Sequence, residues 1–291
     1  MTDPEKHRTQ NLDVAKQKAK ADALRALHHA GKLLLLPNVW DVASARIIEE
    51  ADFPAIATSS AGVAFALGYP DGQLISRDEM LEVVARIAAA VKVPVTADVE
   101  AGYGDRPEDA ALTARGVIEA GAVGMNLEDT TGKALDSLLD VPRMLEKIAA
   151  VREAAKAAGM PIVLNARTDI YLLEIGAPET RYAESLRRLA AYRDAGADCA
   201  FLPGLRDAET IGRLVRDLRC PVNILAGFGS PPIPELQNLG VARVSLGSAP
   251  HRAALGFLRR IAAELRSAGT YQSLENAPPH AEINRLLENK T

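Results

Sequence analysis

The chain has 291 residues, of which 48% are hydrophobic, 25% are charged and 4% are aromatic. This length fits either two average domains or one α/β barrel, and the scarcity of aromatic residues predicts an aliphatic core. The 34 basic and 38 acidic residues leave a formal net charge of −4, which counts against a general nucleic-acid-binding protein. Two cysteines are too few for a disulfide scaffold or a cysteine-based zinc site.

The first ~20 residues are polar and charged, unlike a secretory signal. No strongly apolar run approaches the ~20 residues that cross a bilayer. We therefore expect a cytoplasmic protein that binds neither membranes nor nucleic acids.

Short apolar segments alternate with helical segments along the chain. A leading helix is predicted over residues 11–30, and eight runs rich in Val, Ile and Leu then follow, as is typical of strands buried on both faces. These predicted strands cover residues 33–40, 55–60, 93–100, 122–129, 161–169, 199–204, 221–227 and 241–247. Helical periodicity between them is clearest over residues 77–91, 107–120, 141–158, 181–195 and 207–218. A helix over residues 249–267 carries an apolar stripe, and a tail follows over residues 269–291.

Glycines and a capping signal support these boundaries. Ser76 and Glu79 predict a capping box at a helix start. Glycines stand where helices end before a strand, the usual place for a left-handed residue: Gly121, Gly159, Gly196 and Gly240. Eight strands alternating with helices predict a single α/β domain, a closed (β/α)8 TIM barrel with its core over about residues 31–268. The alternative is an open doubly wound sheet, which would want a Gly-rich phosphate-binding turn that the chain lacks.

Acidic residues collect at the carboxyl ends of the predicted strands, where a barrel places its active site. Asp98 and Glu100 end the third strand and, being two residues apart, point to the same side. Glu128 ends the fourth strand, and Asp71 lies in the loop after the second. Oxygen ligands without a neighbouring His or Cys favour Mg²⁺ or Mn²⁺ over zinc. The competing interpretation is that these acids cap helices or pair with arginines.

Two further strand ends supply groups of opposite character. Arg167 ends the fifth strand, where it can offset carboxylate charge or bind a substrate carboxylate, and a purely structural ion pair is the alternative. After the second strand, Ser59, Ser60 and Ala61 offer hydroxyl and backbone N–H groups as an anion cradle.

Residues 98–104, Asp-Val-Glu-Ala-Gly-Tyr-Gly, and residues 124–129, Gly-Met-Asn-Leu-Glu-Asp, form the most specific motifs. With residues 44–50, 58–60 and 67–68, they resemble the isocitrate lyase/phosphoenolpyruvate mutase superfamily over about residues 33–247. The resemblance implies a barrel enzyme that holds Mg²⁺ and a 2-oxo acid or its enolate, and that breaks or makes a C–C or P–C bond beside the carbonyl. It also implies a homo-oligomer, a dimer or tetramer, in which the helix over residues 249–267 closes the barrel or is exchanged between subunits.

The resemblance implies a role for each candidate residue. Asp98 would be the direct metal ligand, and the other metal-site acids would be Asp71, Glu100 and Glu128. Arg167 would hold the carboxylate or enolate of a small carboxylate substrate and, with Asp71, is a candidate catalytic residue. Ser59, Ser60 and Ala61 would contact the substrate carboxylate or oxyanion, partly through backbone N–H groups.

The chain departs from the superfamily pattern after the fourth strand. Residues 130–140 contain no Cys or His, so the thiol acid of the isocitrate and methylisocitrate lyases is missing and their reactions are not expected. The Asn and Lys-Ser elements of the phosphonate mutases are not evident there either. The first hypothesis is a Mg²⁺-dependent C–C lyase, with decarboxylation as one form of it. The alternatives are P–C bond chemistry and a catalytically degenerate barrel that only binds carboxylates.

Overall fold

Short strands and helices alternate in the structure, a computed structural model that describes residues 14–131 and 134–288. The strands are β1 (Leu34–Leu36), β2 (Asn38–Val39), β3 (Ile56–Thr58), β4 (Val95–Ala97), β5 (Gly124–Glu128), β6 (Thr130–Thr131), β7 (Ala134–Leu138), β8 (Val163–Arg167), β9 (Cys199–Phe201), β10 (Val222–Leu225) and β11 (Arg243–Ser245). The helices are α1 (Val14–Leu27), α2 (Val42–Glu50), α3 (Ser60–Ala66), α4 (Arg77–Ala90), α5 (Pro107–Glu119), α6 (Val141–Ala157), α7 (Pro178–Asp194), α8 (Ala208–Leu218), α9 (Ile233–Asn238), α10 (Ala249–Ser267) and α11 (His280–Glu288). These positions confirm the predicted alternation. Residues 11–13 of the predicted leading helix lie outside the described residues.

Local sequence signals fix the ends of several helices, as predicted. Ser76 and Glu79 form the capping box that opens α4. The four glycines predicted to follow helix ends have left-handed φ angles between 63° and 109°. A side chain at such a position is strained, which is why glycine serves there.

Nine strands form one parallel sheet whose two ends are neighbours in the chain. Its order is β1-β11-β10-β9-β8-β5-β4-β3-β2, and β6 pairs separately with β7 as an antiparallel hairpin. Only Pro37 separates β1, which pairs with β11, from β2, which pairs with β3. A proline has no N–H for a strand ladder, and the first strand changes partner at this residue. The sheet therefore closes into a barrel of eight strands, one of them divided, and the predicted (β/α)8 fold class is confirmed.

The side chain of Asn38 joins the two sides of this closure. Its Nδ2 donates to the carbonyl oxygen of Thr58 on β3 at 2.8 Å. Its Oδ1 accepts from the backbone N–H groups of Leu246 and Gly247, just after β11, at 2.7 and 2.9 Å. One buried amide thus satisfies three backbone groups from opposite ends of the chain.

The two faces of the barrel strands differ in chemistry. Register partners in parallel strands point to the same side, so the pairing directs one face of each strand toward the barrel axis. Many inward-facing residues are polar and buried, among them Asn38, Asn126, Asn165, Asn223 and Arg243. Aliphatic residues such as Leu127, Leu164 and Val244 point outward and pack with the helices. The aliphatic core predicted from composition therefore lies between sheet and helices, whereas the barrel interior is rich in polar groups.

Helix α1 covers the amino-terminal end of the barrel. Gln17 donates to the carbonyl oxygens of Ile118 and Ala122 at 2.7 and 3.2 Å. Arg25 bonds the carbonyl oxygen of Pro161 and pairs with Asp198 at 3.3 Å. These contacts lie just before β5 and β8, at the end opposite the predicted active site.

Two helices follow the last barrel strand. Of the 19 residues of α10, all described, His251 alone is buried, and α11 returns to contact α2. Within the described residues no helix is both long and apolar enough to cross a membrane. The interpretation of the whole chain as one domain, with a barrel core over about residues 31–268, stays a prediction.

We predict that Asn38→Ala lowers the free energy of unfolding by about 2 kcal/mol, because it leaves buried backbone groups without partners. Chemical denaturation measures the change. The matched control is Asn238→Ala, at an exposed position at the end of α9, which should lower stability by less than about 0.5 kcal/mol. Equal effects of the two substitutions would contradict the role assigned to Asn38.

Candidate active site

Four carboxylates meet at the carboxyl end of the barrel strands. Asp98 and Glu100 follow β4, Glu128 ends β5, and all three are buried, while Asp71 lies in the exposed loop after α3. Burial raises the pKa of Glu100 to about 9, with further upward contributions from Glu128, Asp71 and Asp98. Partial desolvation of the Asp71 carboxyl group, on the mouth side of its loop, and the charge of Asp98 likewise raise the pKa of Asp71. The structure therefore brings the four predicted acids within electrostatic reach of one another.

Asp98 is held in place on both of its oxygen atoms. Its Oδ2 accepts from the backbone N–H and the hydroxyl of Ser60 at 3.0 and 2.9 Å. Its Oδ1 accepts from Nδ2 of Asn126 at 3.2 Å, and its own N–H donates to the hydroxyl of Thr58 at 2.8 Å. Charge-assisted hydrogen bonds of this kind stabilise an ionised carboxylate.

The predicted anion cradle is partly occupied by the protein itself. Ser60 directs both of its donors to Asp98. Ser59 is the N-cap of α3, and its hydroxyl accepts from the N–H of Gly62 at 3.1 Å. Contact of Ser59, Ser60 and Ala61 with a substrate stays a prediction.

Arg167 reaches this mouth but is already paired. Its Nη1 lies 2.8 Å from Glu128, and its Nε and Nη2 bond both oxygens of Asp169 at 2.5 and 2.8 Å. Its guanidinium also lies over the ring of Phe201, 5.7 Å from the centroid. Glu128 in turn accepts from the hydroxyl of Thr130 at 2.5 Å, and its pKa is raised because burial outweighs the charge of Arg167.

Asp169 was assigned no role from the sequence. Its distance of two residues from Arg167 was the available signal, since the two side chains can turn to the same side. The bidentate pair fixes the plane of the guanidinium. Arg167 therefore presents its charge to the mouth in one orientation.

Asp129 points away from the mouth, as its alternation with Glu128 predicts. It accepts from the hydroxyl of Tyr192 at 2.7 Å and pairs with Arg188 at 3.1 Å, both on α7. It also accepts from the N–H of Asp169 at 3.2 Å. Asp129 thus ties β5 to α7 behind the site.

The loop after β4 is held in an unusual backbone conformation. Glu100 and Tyr103 have φ angles of 51° and 58°, a region that non-glycine residues rarely occupy. Gln73 Oε1 accepts from the N–H of Tyr103 at 2.7 Å. Arg77 donates to the backbone carbonyl oxygen of Tyr103 at 2.9 Å. The buried ammonium of Lys147 donates to two further carbonyls of the loop. These contacts orient the loop that follows Asp98.

An aromatic contact beside the mouth was not predicted. Trp40 and His251 stack with their ring centroids 4.4 Å apart and their planes within 8°. Nδ1 of His251 lies 2.9 Å from the carbonyl oxygen of Gly62. His251 therefore joins the start of α10 to α3 and to Trp40, a contact that links residues more than 200 positions apart and leaves no local sequence signal.

The side chains at the mouth offer mainly carboxylate oxygen atoms to a metal ion. Within the described residues, no three side chains of His, Cys, Asp or Glu are gathered as a complete metal cage. Mg²⁺ usually keeps several waters and touches one or two carboxylates directly, so it needs no such cage. Burial, and then the neighbouring carboxylates, raise the pKa of Asp71 and Glu100, and a nearby cation would act in the opposite direction. A divalent cation fits this oxygen-rich donor set.

Residues 24–266 match the family model described as phosphoenolpyruvate phosphomutase. The chain belongs to this family. The matched range contains the whole barrel and every predicted site residue, and the resemblance inferred from the motifs is confirmed.

The relatives of this family member have several different activities. An oxaloacetate decarboxylase of Ectopseudomonas mendocina is 33% identical over 245 residues, 80% of this chain and 80% of that protein. A solved structure from Burkholderia cenocepacia J2315, described provisionally as a lyase/mutase, is 43% identical with a TM-score of 0.87 and covers 93% of this chain and 96% of its own.

Oxalate is bound in two of the similar solved structures. Oxaloacetate acetylhydrolase in complex with oxalate is 27% identical, with a TM-score of 0.82, and covers 93% of this chain and 94% of its own. Phosphonopyruvate hydrolase in complex with oxalate and Mg²⁺ is 26% identical, with a TM-score of 0.81, and covers 93% and 95%. The family member described here is thus an enzyme of the lyase and mutase type.

We predict that the metal-free protein loses stability as pH rises from about 4.5 toward about 9. The folded-state pKa of Glu100 lies above its ordinary value of 4.5, at about 9, so the unfolded chain releases this proton first and folding is favoured below that range. Thermal melting in EDTA across this range measures the slope. Glu100→Gln should flatten it.

The control is Glu119→Gln, at an exposed position at the end of α5, which should keep the slope of the unaltered protein. An unchanged slope in Glu100→Gln would show that the crowding of carboxylates does not govern stability here.

Proposed function

We propose that the protein is a Mg²⁺-dependent lyase that cleaves a C–C bond next to the carbonyl or hydroxyl group of a small 2-oxo or 2-hydroxy carboxylic acid. Decarboxylation is one form of this reaction. The observation that carries the proposal is the meeting of four carboxylates and one arginine at a single barrel mouth. The oxaloacetate decarboxylase and oxaloacetate acetylhydrolase among the relatives support the choice of substrate class.

The metal in this proposal is Mg²⁺, with Mn²⁺ as the alternative, and the phosphonopyruvate hydrolase complex supports it. Asp98 would hold the ion directly, while Asp71, Glu100 and Glu128 would bind it or its waters. When bound, the ion would supply a Lewis acid for the negative charge that develops beside the breaking bond. We place the reaction in the cytoplasm.

Arg167 would bind the substrate carboxylate or enolate. Asp169 fixes its guanidinium, so little conformational entropy is lost when a carboxylate docks. Ser59, Ser60 and Ala61 would line the opposite side of the substrate. The preorganised positive charge of Arg167 favours the more anionic transition state.

Tyr103 is the best-placed candidate for the proton donor. Its hydroxyl is buried without a partner among the described residues. Burial together with Glu100 and Asp98 raises its pKa, which keeps the hydroxyl protonated but makes it a weaker acid. Tyr69, the other tyrosine near the mouth, is exposed on the loop after α3.

The segment that carries the gating Cys in isocitrate lyases begins in this protein with the hairpin of β6 and β7.

P–C bond chemistry is the second candidate, because phosphonopyruvate hydrolase shares this fold at 26% identity. A barrel that only binds carboxylates is the third. The two experiments below separate the three.

We predict that a screen of 2-oxo and 2-hydroxy acids, oxaloacetate included, finds pyruvate formation that requires Mg²⁺ and stops in EDTA. Asp98→Ala should lower kcat/KM at least ~100-fold and weaken Mg²⁺ binding, because it removes the direct ligand. Asp22→Ala, at an exposed position on α1, is the matched control and should change neither. An Asp98→Ala protein with full activity and full Mg²⁺ affinity would refute the proposal.

Phosphorus NMR with phosphonopyruvate tests the second candidate: new phosphorus signals without turnover of oxo acids would favour it. Oxalate binding only with Mg²⁺, but no turnover of either substrate class, would favour the third.

We also propose that the protein is a homo-oligomer, a dimer or tetramer, held through α10. This helix exposes four large apolar side chains to solvent: Leu255, Phe257, Leu258 and Leu265. A second copy of the chain would bury them, either by covering α10 or by exchanging it.

We predict that sedimentation velocity finds an oligomer and that Leu258→Glu shifts it toward the monomer, because a charge in an apolar interface is costly. The control is Leu112→Glu on α5, where the leucine is 44% exposed. A monomeric unaltered protein would refute this proposal.

A further inference from the structure

Arg243 is a cation enclosed in the barrel interior. It lies on β11, faces inward, and exposes only 1% of its surface. Within the described residues its guanidinium has no ion-pair partner, and its Nε and Nη1 have no hydrogen-bond acceptor. A buried cation without partners is costly. These two donors therefore need acceptors that the neighbouring side chains do not supply directly.

A directed chain of amides leads from Asp98 into the same interior. A carboxylate only accepts, so Asn126 must donate to Asp98 through Nδ2, at 3.2 Å. Oδ1 of Asn126 then accepts from Nδ2 of Asn165 at 2.7 Å. Oδ1 of Asn165 is left as a buried acceptor without a partner.

Arg243 and the open end of this chain both lie buried on inward-facing positions of the barrel strands. Burial lowers its pKa, while Cys199 and Asp98 act in the opposite direction, so both lie within electrostatic reach. Cys199 on β9 is the register partner of Asn165 on β8. Within the described residues no hydrogen bond joins Nε or Nη1 of Arg243 to Oδ1 of Asn165.

A second buried acceptor without a partner lies just after the end of α1. Nδ1 of His28 lies 2.7 Å from the carbonyl oxygen of Leu24 and must carry the proton, because a carbonyl only accepts. Nε2 of His28 is therefore an acceptor, and it is buried without a partner. Burial and Arg243 lower the pKa of His28 to about 4, so the ring is neutral at neutral pH.

We propose that ordered water molecules bridge Arg243 to Asn165 and to His28, and that Arg243 acts through the Asn165–Asn126 relay as a positioning residue for Asp98. Water can accept from the guanidinium and donate to the amide and imidazole acceptors, whereas an anion can only accept. Hydrogen bonds in series polarise one another, so the charge of Arg243 strengthens the bond that Asn126 donates to Asp98. This inference rests on the proposed function, in which Asp98 is the metal ligand.

Calorimetric titration of the full-length protein with Mg²⁺ tests the relay. Arg243→Met removes the donors at similar volume and should weaken Mg²⁺ binding about tenfold, while Arg243→Lys, which keeps the charge, should restore most of the affinity. Arg46→Met is the matched control: Arg46 is a buried arginine on α2 whose partner is Glu49, at 3.5 Å. Unchanged affinity in Arg243→Met would overturn the relay.

A high-resolution crystal structure of the unaltered protein tests the bridge, and it decides the matter even if Arg243→Met fails to fold. Water within about 3.2 Å of both Arg243 and Asn165 is expected. A direct Arg243–Asn165 hydrogen bond, or an anion between them, would overturn it. Asp98→Ala distinguishes a failure of the proposed metal site from a failure of the water bridge. Full Mg²⁺ affinity in that variant refutes the proposed metal site, whereas the bridge is judged from the crystal structure.

Discussion

The meeting of four carboxylates at one barrel mouth, three of them buried, is the constraint on which the surrounding structure depends. Like charges in a site of low dielectric repel one another, and folding must hold them together. Donors face two of these acids: Ser60 and Asn126 bond Asp98, and Arg167 pairs with Glu128. These contacts offset the repulsion between the carboxylates only in part, since the pKa of Glu100 stays near 9. Such a site gains most from a divalent cation.

The sequence predicted the order of elements because each of its signals is local. Alternation of apolar runs with helical segments, and glycines at helix ends, depend on neighbouring residues. Which face of a strand looks inward does not follow from periodicity when both faces are buried. The sequence therefore could not reveal that Asn126, Asn165 and Arg243 line the barrel interior while leucines and valines face the helices.

The candidate site likewise contains residues that the sequence predicted and contacts that it did not. Asp98, Glu100 and Glu128 were found because strand ends in a barrel converge on one mouth, and the family motifs assigned them a role. The pairing of Arg167 with Asp169 depends on rotamers, and the stacking of Trp40 on His251 depends on a contact more than 200 residues apart. The spacing of two residues permits the first contact without fixing it, and no spacing along the chain signals the second.

The division of the first strand at Pro37 has a consequence for biosynthesis. β1 pairs with β11, and Asn38 bonds the backbone just after β11, so the barrel closes only when nearly the whole chain has left the ribosome. Contacts of such long range slow folding. Until then the edge of β1 is an unpaired strand edge, open to pairing with another chain.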